Sequence, residues 1–334
     1  MRQESNGPLS RIIRVVTKIE ANELRAVVFS FLFVFTLMAA YFVVRPLRDA
    51  MASDWSRTET SFLWTLTFIV SVIGVMLYGF LISRVRFSRV VPGVYLFFAT
   101  TFVIFYAGSN LVPDPTLIDK TFYVWLSVFS LFHVSVFWSF MSGLYNREQA
   151  RRLFAVIATG ASIGAIVGPV IPGFFADSIG VMNLLLITAA MQLVPVVLIP
   201  VLERLKVTDL NNADCEADLS EAKRLARNPF SGFVAFVRNP YLLGIGLFIL
   251  MYVTMSTFVY MELREMLAVF DRAERTEINA RIDLAVNALA IVTALLLTGR
   301  IASRFGVATL LAAIPIMMVA GWLIVAAIPL LAVI

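Results

Sequence analysis

Apolar residues gather into nine long segments separated by polar stretches, and this pattern predicts nine membrane-spanning helices. A helix of about 20 apolar residues is long enough to cross the hydrocarbon core of a bilayer. The predicted spans are 25–46, 61–83, 90–108, 121–145, 153–176, 182–202, 241–262, 282–299 and 307–328. The fold class is therefore an all-α polytopic membrane protein.

Two polar stretches divide the chain further. Residues 1–24 are polar and basic. Over residues 9–20 basic side chains alternate with apolar ones, which predicts either a short amphipathic helix on the membrane surface or a solvated tail. Residues 203–240 predict a cytoplasmic linker with one or two short amphipathic helices. Between and after them we expect an N-terminal six-helix bundle over 25–202 and a partial C-terminal bundle over 241–334.

Composition supports a membrane protein and excludes several other classes. Hydrophobic residues make up 60% of the 334 residues and charged residues only 15%, whereas soluble domains are about half apolar and about a quarter charged. One cysteine and one histidine cannot form a Cys/His-rich metal site, and the chain has no GxxxxGK[ST] loop for ATP. We therefore expect no enzyme activity, no metal and no cofactor.

The basic residues indicate the orientation of the chain in the membrane. Lys and Arg concentrate in the N-terminal tail and in the loops after even-numbered segments, and such loops face the cytoplasm. The N-terminus is therefore expected on the cytoplasmic side. Because topology accounts for the net charge of +5, we expect no nucleic-acid partner. The expected partners are the lipid bilayer and a small anionic substrate, and a coupling ion stays open.

A short motif recurs in the two parts of the chain. Segment two ends with Gly79 and Arg84, and segment eight ends with Gly299 and Arg304, 220 positions later. The same offset relates segment one to seven and segment three to nine. Six helices, a linker and the same helices again indicate a parallel repeat.

Both copies of this motif resemble the loop pattern G-x-x-x-D-R-x-G-R of major facilitator transporters. Arg89 fits the first copy and Gly306 the second, while Ser83 and Ser303 stand where the pattern has aspartate. The resemblance implies a major facilitator fold in which the glycine and arginine of each copy brace the cytoplasmic loops. Cytoplasmic positive charge alone would also explain the arginines. The repeat ends after its third helix at Ile334, so we expect a C-terminally truncated form with nine of twelve helices.

Segment five carries three glycines at intervals of four, Gly160, Gly164 and Gly168, followed by Pro169. They lie on one helix face, which lets a second helix backbone approach closely. The pattern resembles the glycine-rich fifth helix of antiporters, which implies that these residues allow the helices to rock. A static packing seam would have the same sequence.

Polar side chains at the ends of segments one and seven are candidates for substrate binding. Tyr41, Arg45 and Arg48 can share one helix face, and segment seven brings Tyr260 and Arg264 to a similar height. Arginine offers a planar fork of donors that suits phosphate or carboxylate. The alternative is a pair of interfacial helix ends with snorkelling arginines.

Four further residues in the spans have polar or helix-breaking character. Asp283 and Asn287 lie four positions apart on one face of segment eight, and they can bind a polar substrate or a coupling cation. Asp283 can instead simply cap the outer end of that helix. Pro46 is expected to open the helix of segment one. His133, the only histidine, is expected to be a packed, hydrogen-bonded residue rather than a proton carrier.

Several stretches together resemble bacterial relatives of the ATP:ADP antiporter family: 41–51, 135–142, 146–154, 239–244 and 283–287. The resemblance implies exchange of nucleotides or other phosphorylated anions across the bacterial inner membrane, without a cofactor. No residue set identifies an adenine ring. Two other functions stay open. One is proton-coupled efflux of drugs or metabolites, with Asp283 as the carrier, and the other is a membrane sensor or scaffold that transports nothing.

Overall fold

The structure, a computed structural model, describes residues 19–84, 87–212, 236–294, 296 and 299–327. All regular structure in this part of the chain is helical. The helices are α1 (Leu24–Ala52), α2 (Arg57–Arg84), α3 (Phe87–Leu111), α4 (Thr116–Leu144), α5 (Arg147–Ile179), α6 (Asn183–Thr208), α7 (Pro240–Leu267), α8 (Arg272–Thr293) and α9 (Gly299–Ala327). Each predicted segment overlaps one of them.

Seven of the described helices, α1 to α7, are long and apolar enough to cross a membrane by length and composition. The expected number of nine spans is therefore not confirmed. α8 differs from the seven because its first three turns are rich in charged side chains. α9 contains Gly306 with φ 81° and ψ 163°, a backbone conformation that favours glycine and interrupts the helix. This interruption coincides with the end of the loop predicted between segments eight and nine.

α1 lies at the centre of the first six helices, which we call the first half, and packs against α4, α5 and α6. Its inward positions are large apolar residues such as Phe33, which meets the rings of Tyr95 and Phe137 edge to face at 5.4 and 5.0 Å. Phe102 and Phe129 continue this aromatic core between α3 and α4. Buried aromatic side chains of this size dominate the packing energy of the first half.

Gly160, Gly164 and Gly168 pack α5 directly against the backbone of α1. A Cβ atom added to Gly160 or Gly168 would lie 2.7 Å from the Phe31 carbonyl oxygen or 2.6 Å from that of Ala39. At Gly164 an added Cβ would overlap the carbonyl oxygen of Phe35. The predicted close approach of two backbones is therefore present, and both helices belong to the first half. α5 continues without a break through Pro169 to Ile179.

The second half consists of α7 to α9 and meets the first half mainly at one end of the bundle. The buried residues of α7 are Met261, Arg264 and Leu267, all in its last two turns. Those of α8 are Arg275, Thr276 and Ala280, in its first three turns. We call this the ion-pair end, where α1 and α7 end and α8 begins. At the opposite end, α1 and α7 begin, and the side chains of α7 from Tyr241 to Val253 are mostly exposed.

Helix starts show why several predicted segments were too short. α5 begins with a capping box in which Asn146 and Gln149 bond each other's backbone N–H groups. α8 begins in the same way with Asp271 and Glu274. Polar capping residues lie outside an apolar window, so the helices begin before the hydropathy pattern does. For α8 the difference is ten residues.

The predictions for the N-terminal helix and for the linker helices are not tested by the described residues, whereas the prediction for Pro46 is. The amphipathic N-terminus falls mostly on residues 1–18 and the linker helices on 213–235, which lie outside the described residues. α6 continues to Thr208, beyond the predicted end at residue 202. The expectation that Pro46 opens α1 is wrong, because the helix is continuous from Leu24 to Ala52.

Candidate functional site

The last turns of α1 place two arginines around one carboxylate. Arg48 donates from Nε and Nη2 to the same oxygen of Asp49, Oδ1, at 3.0 and 2.7 Å. Nε of Arg45 lies 3.6 Å from the other oxygen, Oδ2. Asp49 is buried, with 6% of its surface exposed. A buried charge in a membrane helix requires such partners, because its desolvation is costly.

Two residues of the second half reach this pair of arginines. Nη1 of Arg45 lies 3.0 Å from Oδ1 of Asp283 on α8. The Tyr260 hydroxyl on α7 donates to Oδ1 of Asp49 at 3.1 Å. The structure thus brings four predicted site residues together and adds Asp49 at their centre. We call Arg45, Arg48, Asp49 and Asp283 the charge cluster, in which two positive and two negative charges balance.

Aromatic rings enclose the charge cluster on the side of α2 and α4. The guanidinium carbon of Arg48 lies 5.4 Å from the ring centroid of Tyr123. The Tyr123 hydroxyl accepts a hydrogen bond of 2.7 Å from the Trp64 indole, and the Trp64 ring lies 6.1 Å from that of Tyr260. Cation–π contacts and a low dielectric strengthen the charged interactions in such a setting.

Tyr41, the remaining aromatic residue predicted at the site, is held by a stack of rings. Its ring lies 5.3 Å from that of His133, which stacks on Phe129 at 4.7 Å. Nδ1 of His133 lies 3.1 Å from the Phe129 carbonyl oxygen, and the side chain is buried. His133 is thus packed and hydrogen-bonded, as predicted, and it positions Tyr41.

Two further predicted site residues, Arg264 and Asn287, are not part of the charge cluster. Arg264 lies one turn beyond Tyr260, is buried, and donates from Nη2 to the carbonyl oxygen of Trp55 at 3.0 Å. Asn287 donates to the backbone carbonyl oxygen of Asp283 at 2.8 Å. A direct role of either residue in substrate binding stays a prediction.

The prediction that Asp283 caps the outer end of its helix is wrong. α8 begins at Arg272, and Asp271 is its N-cap. Asp283 lies three turns into the helix, where its side chain is 14% exposed and contacts the first half. The apolar pattern placed the helix start too late, because the residues before Asp283 are charged.

A second set of charged contacts joins the halves closer to the helix ends. Arg272 pairs with Asp54 at 3.1 Å and with the buried Asp119 at 2.9 Å. Arg275 also pairs with Asp54. Arg57, an exposed residue, pairs with two glutamates at the end of α7, Glu262 and Glu265. Together these contacts connect the α1–α2 loop, α2 and α4 of the first half to α7 and α8.

Comparison with protein families decides the classification of this helical bundle. The Major Facilitator Superfamily matches residues 27–334, which is most of the chain. The chain belongs to the major facilitator superfamily. Members of this superfamily are secondary transporters rather than enzymes, and they are multi-pass membrane proteins. No curated protein and no solved structure matches the chain.

Residues predicted to brace the loops of this major facilitator protein are only partly described. Gly79 is buried near the end of α2, and Arg304 is exposed near the start of α9. The side chain of Arg84 and the surroundings of Gly299 lie outside the described residues. Gly160, Gly164, Gly168 and Pro169 lie within the first half, as described above. The gating role of all these residues stays a prediction.

Sequence reasoning missed three acidic partners of the arginines: Asp49, Asp54 and Asp119. Asp49 directly follows Arg48 and lies one turn after Arg45, so the helical spacing could have revealed it. Asp54 and Asp119 were assigned to polar connections, where charged residues are common. Their importance depends on Arg272 and Arg275, which follow them by more than 150 residues in the sequence.

Proposed function

We propose that this major facilitator protein exchanges nucleotides or other phosphorylated or organic anions across the bacterial inner membrane. The observation that supports this proposal most is the position of Arg45. It lies between the halves, bonds Asp283 of the second half, and keeps 34% of its side chain exposed. An accessible guanidinium at this depth is costly in the absence of function, and it suits a phosphate or carboxylate group.

The way in which the halves meet supports a mechanism of alternating access. They are joined at the ion-pair end and separate toward the opposite end, where α7 is exposed. With a cytoplasmic N-terminus, which the distribution of basic residues favours, the site would be reached from the cytoplasm in this state. The anion would then replace the carboxylates that now bind Arg45 and Arg48.

Proteoliposomes containing the purified chain provide the test. We expect uptake of labelled ADP or ATP that is stimulated by unlabelled nucleotide inside the vesicles, with other phosphorylated anions tested in parallel. Arg45→Gln should lower uptake by about 100-fold, because one charge-assisted contact to an anion is worth about 2–3 kcal/mol. Arg151→Gln is the matched control, since Arg151 is exposed on α5 away from the site.

The outcomes separate the parts of this proposal. Uptake of a phosphorylated anion other than a nucleotide would retain the anion site and reject nucleotide exchange. Uptake that is unchanged in Arg45→Gln would remove Arg45 from the site. A folded wild-type chain that takes up no anion of the panel would overturn the proposal.

Proton-coupled efflux is a second candidate, and the position of Asp283 favours it. A carboxylate in the middle of α8, paired with an arginine of the other half, is a suitable proton carrier. Protonation would neutralise Asp283 and release Arg45, so a proton gradient should drive transport. Under this hypothesis Asp283→Asn abolishes the pH dependence of transport in proteoliposomes. Transport that keeps its pH dependence in this variant would exclude Asp283 as the carrier.

A further inference from the structure

The Nε/Nη2 edge of Arg48 is the best bidentate donor in the charge cluster, and it is already occupied. Both atoms donate to Oδ1 of Asp49. The remaining terminal nitrogen, Nη1, lies 3.5 Å from the Ser127 hydroxyl. An anion that binds Arg48 through this edge must therefore displace Asp49.

Asp49 also receives a hydrogen bond from the second half. The Tyr260 hydroxyl donates to the same oxygen, Oδ1, that accepts from Arg48. Nε of Arg45 has no hydrogen-bond partner among the described residues and lies 3.6 Å from Oδ2. One carboxylate thus occupies the point at which donors from α1 and α7 converge.

A bound anion would require the same arrangement of these side chains. Two guanidinium groups and one tyrosine hydroxyl converge on a group with two negatively charged oxygens. The enclosing rings of Tyr123 and Trp64 keep the site dry on one side, which raises the cost of any unpaired charge. In the absence of substrate, a carboxylate of the chain itself supplies the negative charge.

We propose that Asp49 is a positioning residue that occupies the anion position of the proposed site and competes with the substrate. The inference rests on the proposed anion site and adds the residue that sets its affinity. Asp49 keeps the two arginines and Tyr260 in their binding arrangement, and it lowers the affinity for every anion that uses them. Substrate binding and the Asp49 contact to α7 exclude each other.

The competition predicts a gain of affinity when the carboxylate is removed. In Asp49→Asn the side chain keeps its size but loses its charge, so the arginines are free for an external anion. We expect the affinity for ADP, inorganic phosphate or sulfate to rise by about tenfold or more, since charge-assisted hydrogen bonds contribute about 1.5–3 kcal/mol. Asp49→Ser is a second variant that also removes the charge, in case the amide disturbs folding.

Thermal unfolding of the purified full chain, at increasing concentrations of each anion, measures these affinities. A ligand that binds only the folded state raises its apparent stability according to its dissociation constant. Glu59→Gln is the matched control, because it removes a carboxylate that pairs with Lys120 within the first half. Its anion affinity should equal that of the wild type.

A double mutant distinguishes competition from a general structural effect. In the background of Arg48→Gln, the change Asp49→Asn should raise the affinity much less, because Arg48, which donates two hydrogen bonds to Asp49, is absent. An equal gain in both backgrounds would contradict the proposal. The proposal would also be contradicted if the wild type binds an anion and the Asp49 variants bind that anion no more tightly. If neither protein binds any anion of the panel, the anion site itself is refuted and this inference with it.

Discussion

α5 contacts two of its neighbours, α1 and α8, in different ways. Along Gly160 to Gly168 it lies against the backbone of α1, within the first half. One turn further, Gly173 meets the second half, where Arg281 of α8 donates to its carbonyl oxygen at 2.8 Å. The guanidinium of Arg281 also lies 5.5 Å from the ring of Phe174. The first contact is made by shape alone, whereas the second adds a long polar side chain to the packing of Gly173 against Ala280.

The difference indicates which interface can move. Backbone contact between α1 and α5 leaves no room for another atom, so the two helices separate only with a loss of packing. Polar contacts of α8 can exchange one partner for water or substrate at a smaller cost. This placement favours the static-seam interpretation of the three glycines and assigns movement to the interface between the halves.

Among the changes that test this comparison, Gly164→Leu should have the largest effect on stability. Even the first carbon of the new side chain overlaps the Phe35 carbonyl oxygen, so α5 must move away from α1. We expect a loss of about 3–5 kcal/mol in the free energy of unfolding. The melting temperature and the monodisperse fraction in detergent measure it. Gly244→Leu on α7 is the control, because an added Cβ meets nothing within 4 Å there. Equal losses in both variants would contradict the distinction.

Arg272→Ala should open the ion-pair end without unfolding the first half. The change removes one of the two arginine partners of Asp54, while Arg275 remains, and it removes the partner of the buried Asp119. Asp119 gains access to water when the halves separate. A shift of about 1–2 kcal/mol toward the open state would raise the exposure of this end by about tenfold. The labelling rate of Ser53→Cys, in a Cys215→Ser background, reports this opening, because the Ser53 hydroxyl is buried.

The control for this labelling experiment is Lys120→Ala. Lys120 is at the same end of the bundle, but its partner Glu59 belongs to the same half. Its loss should leave the labelling rate unchanged. If Arg272→Ala and Lys120→Ala label equally fast, the ion pairs between the halves do not hold this end closed.

Glu265→Gln should have the smallest effect. Its partner Arg57 has 60% of its side chain exposed, and Glu262 remains as a second partner at 3.8 Å. Exposed ion pairs contribute about 0.2–1 kcal/mol, so the labelling rate at position 53 should change by less than about fivefold. Added salt should remove this difference, since exposed charges are screened. A change as large as that of Arg272→Ala would show that burial does not rank these pairs.

The sequence was sufficient to place the helices wherever their surroundings are apolar. It failed for α8, which begins ten residues before the predicted segment at 282. Residues such as Arg275 and Asp283 face the first half rather than lipid, and a hydropathy window treats every charged side chain as exposed. Which polar residues have partners is a property of the folded chain, so composition alone cannot give the start of this helix.

Most of the site was predictable from the sequence, but Asp49 was not. Arg45, Arg48 and Asp283 stand out because charges in a span are rare, and Tyr260 was found because segment seven ends like segment one. Asp49 was passed over because it is near the predicted end of the helix, where a carboxylate is unremarkable. Arg264 was included by analogy with segment one, but one turn of helix directs it toward Trp55.

The charged first turns of α8 have a consequence for the synthesis of the protein. Charged side chains oppose the transfer of a helix from the translocon into lipid. The charged residues of α8 that contact the first half are Arg272, Arg275, Arg281 and Asp283. Their partners on α1, α4 and α5 are encoded earlier and leave the ribosome first. A first half that is already folded would offer these side chains their partners, so an error in its assembly would be passed on to the half made later.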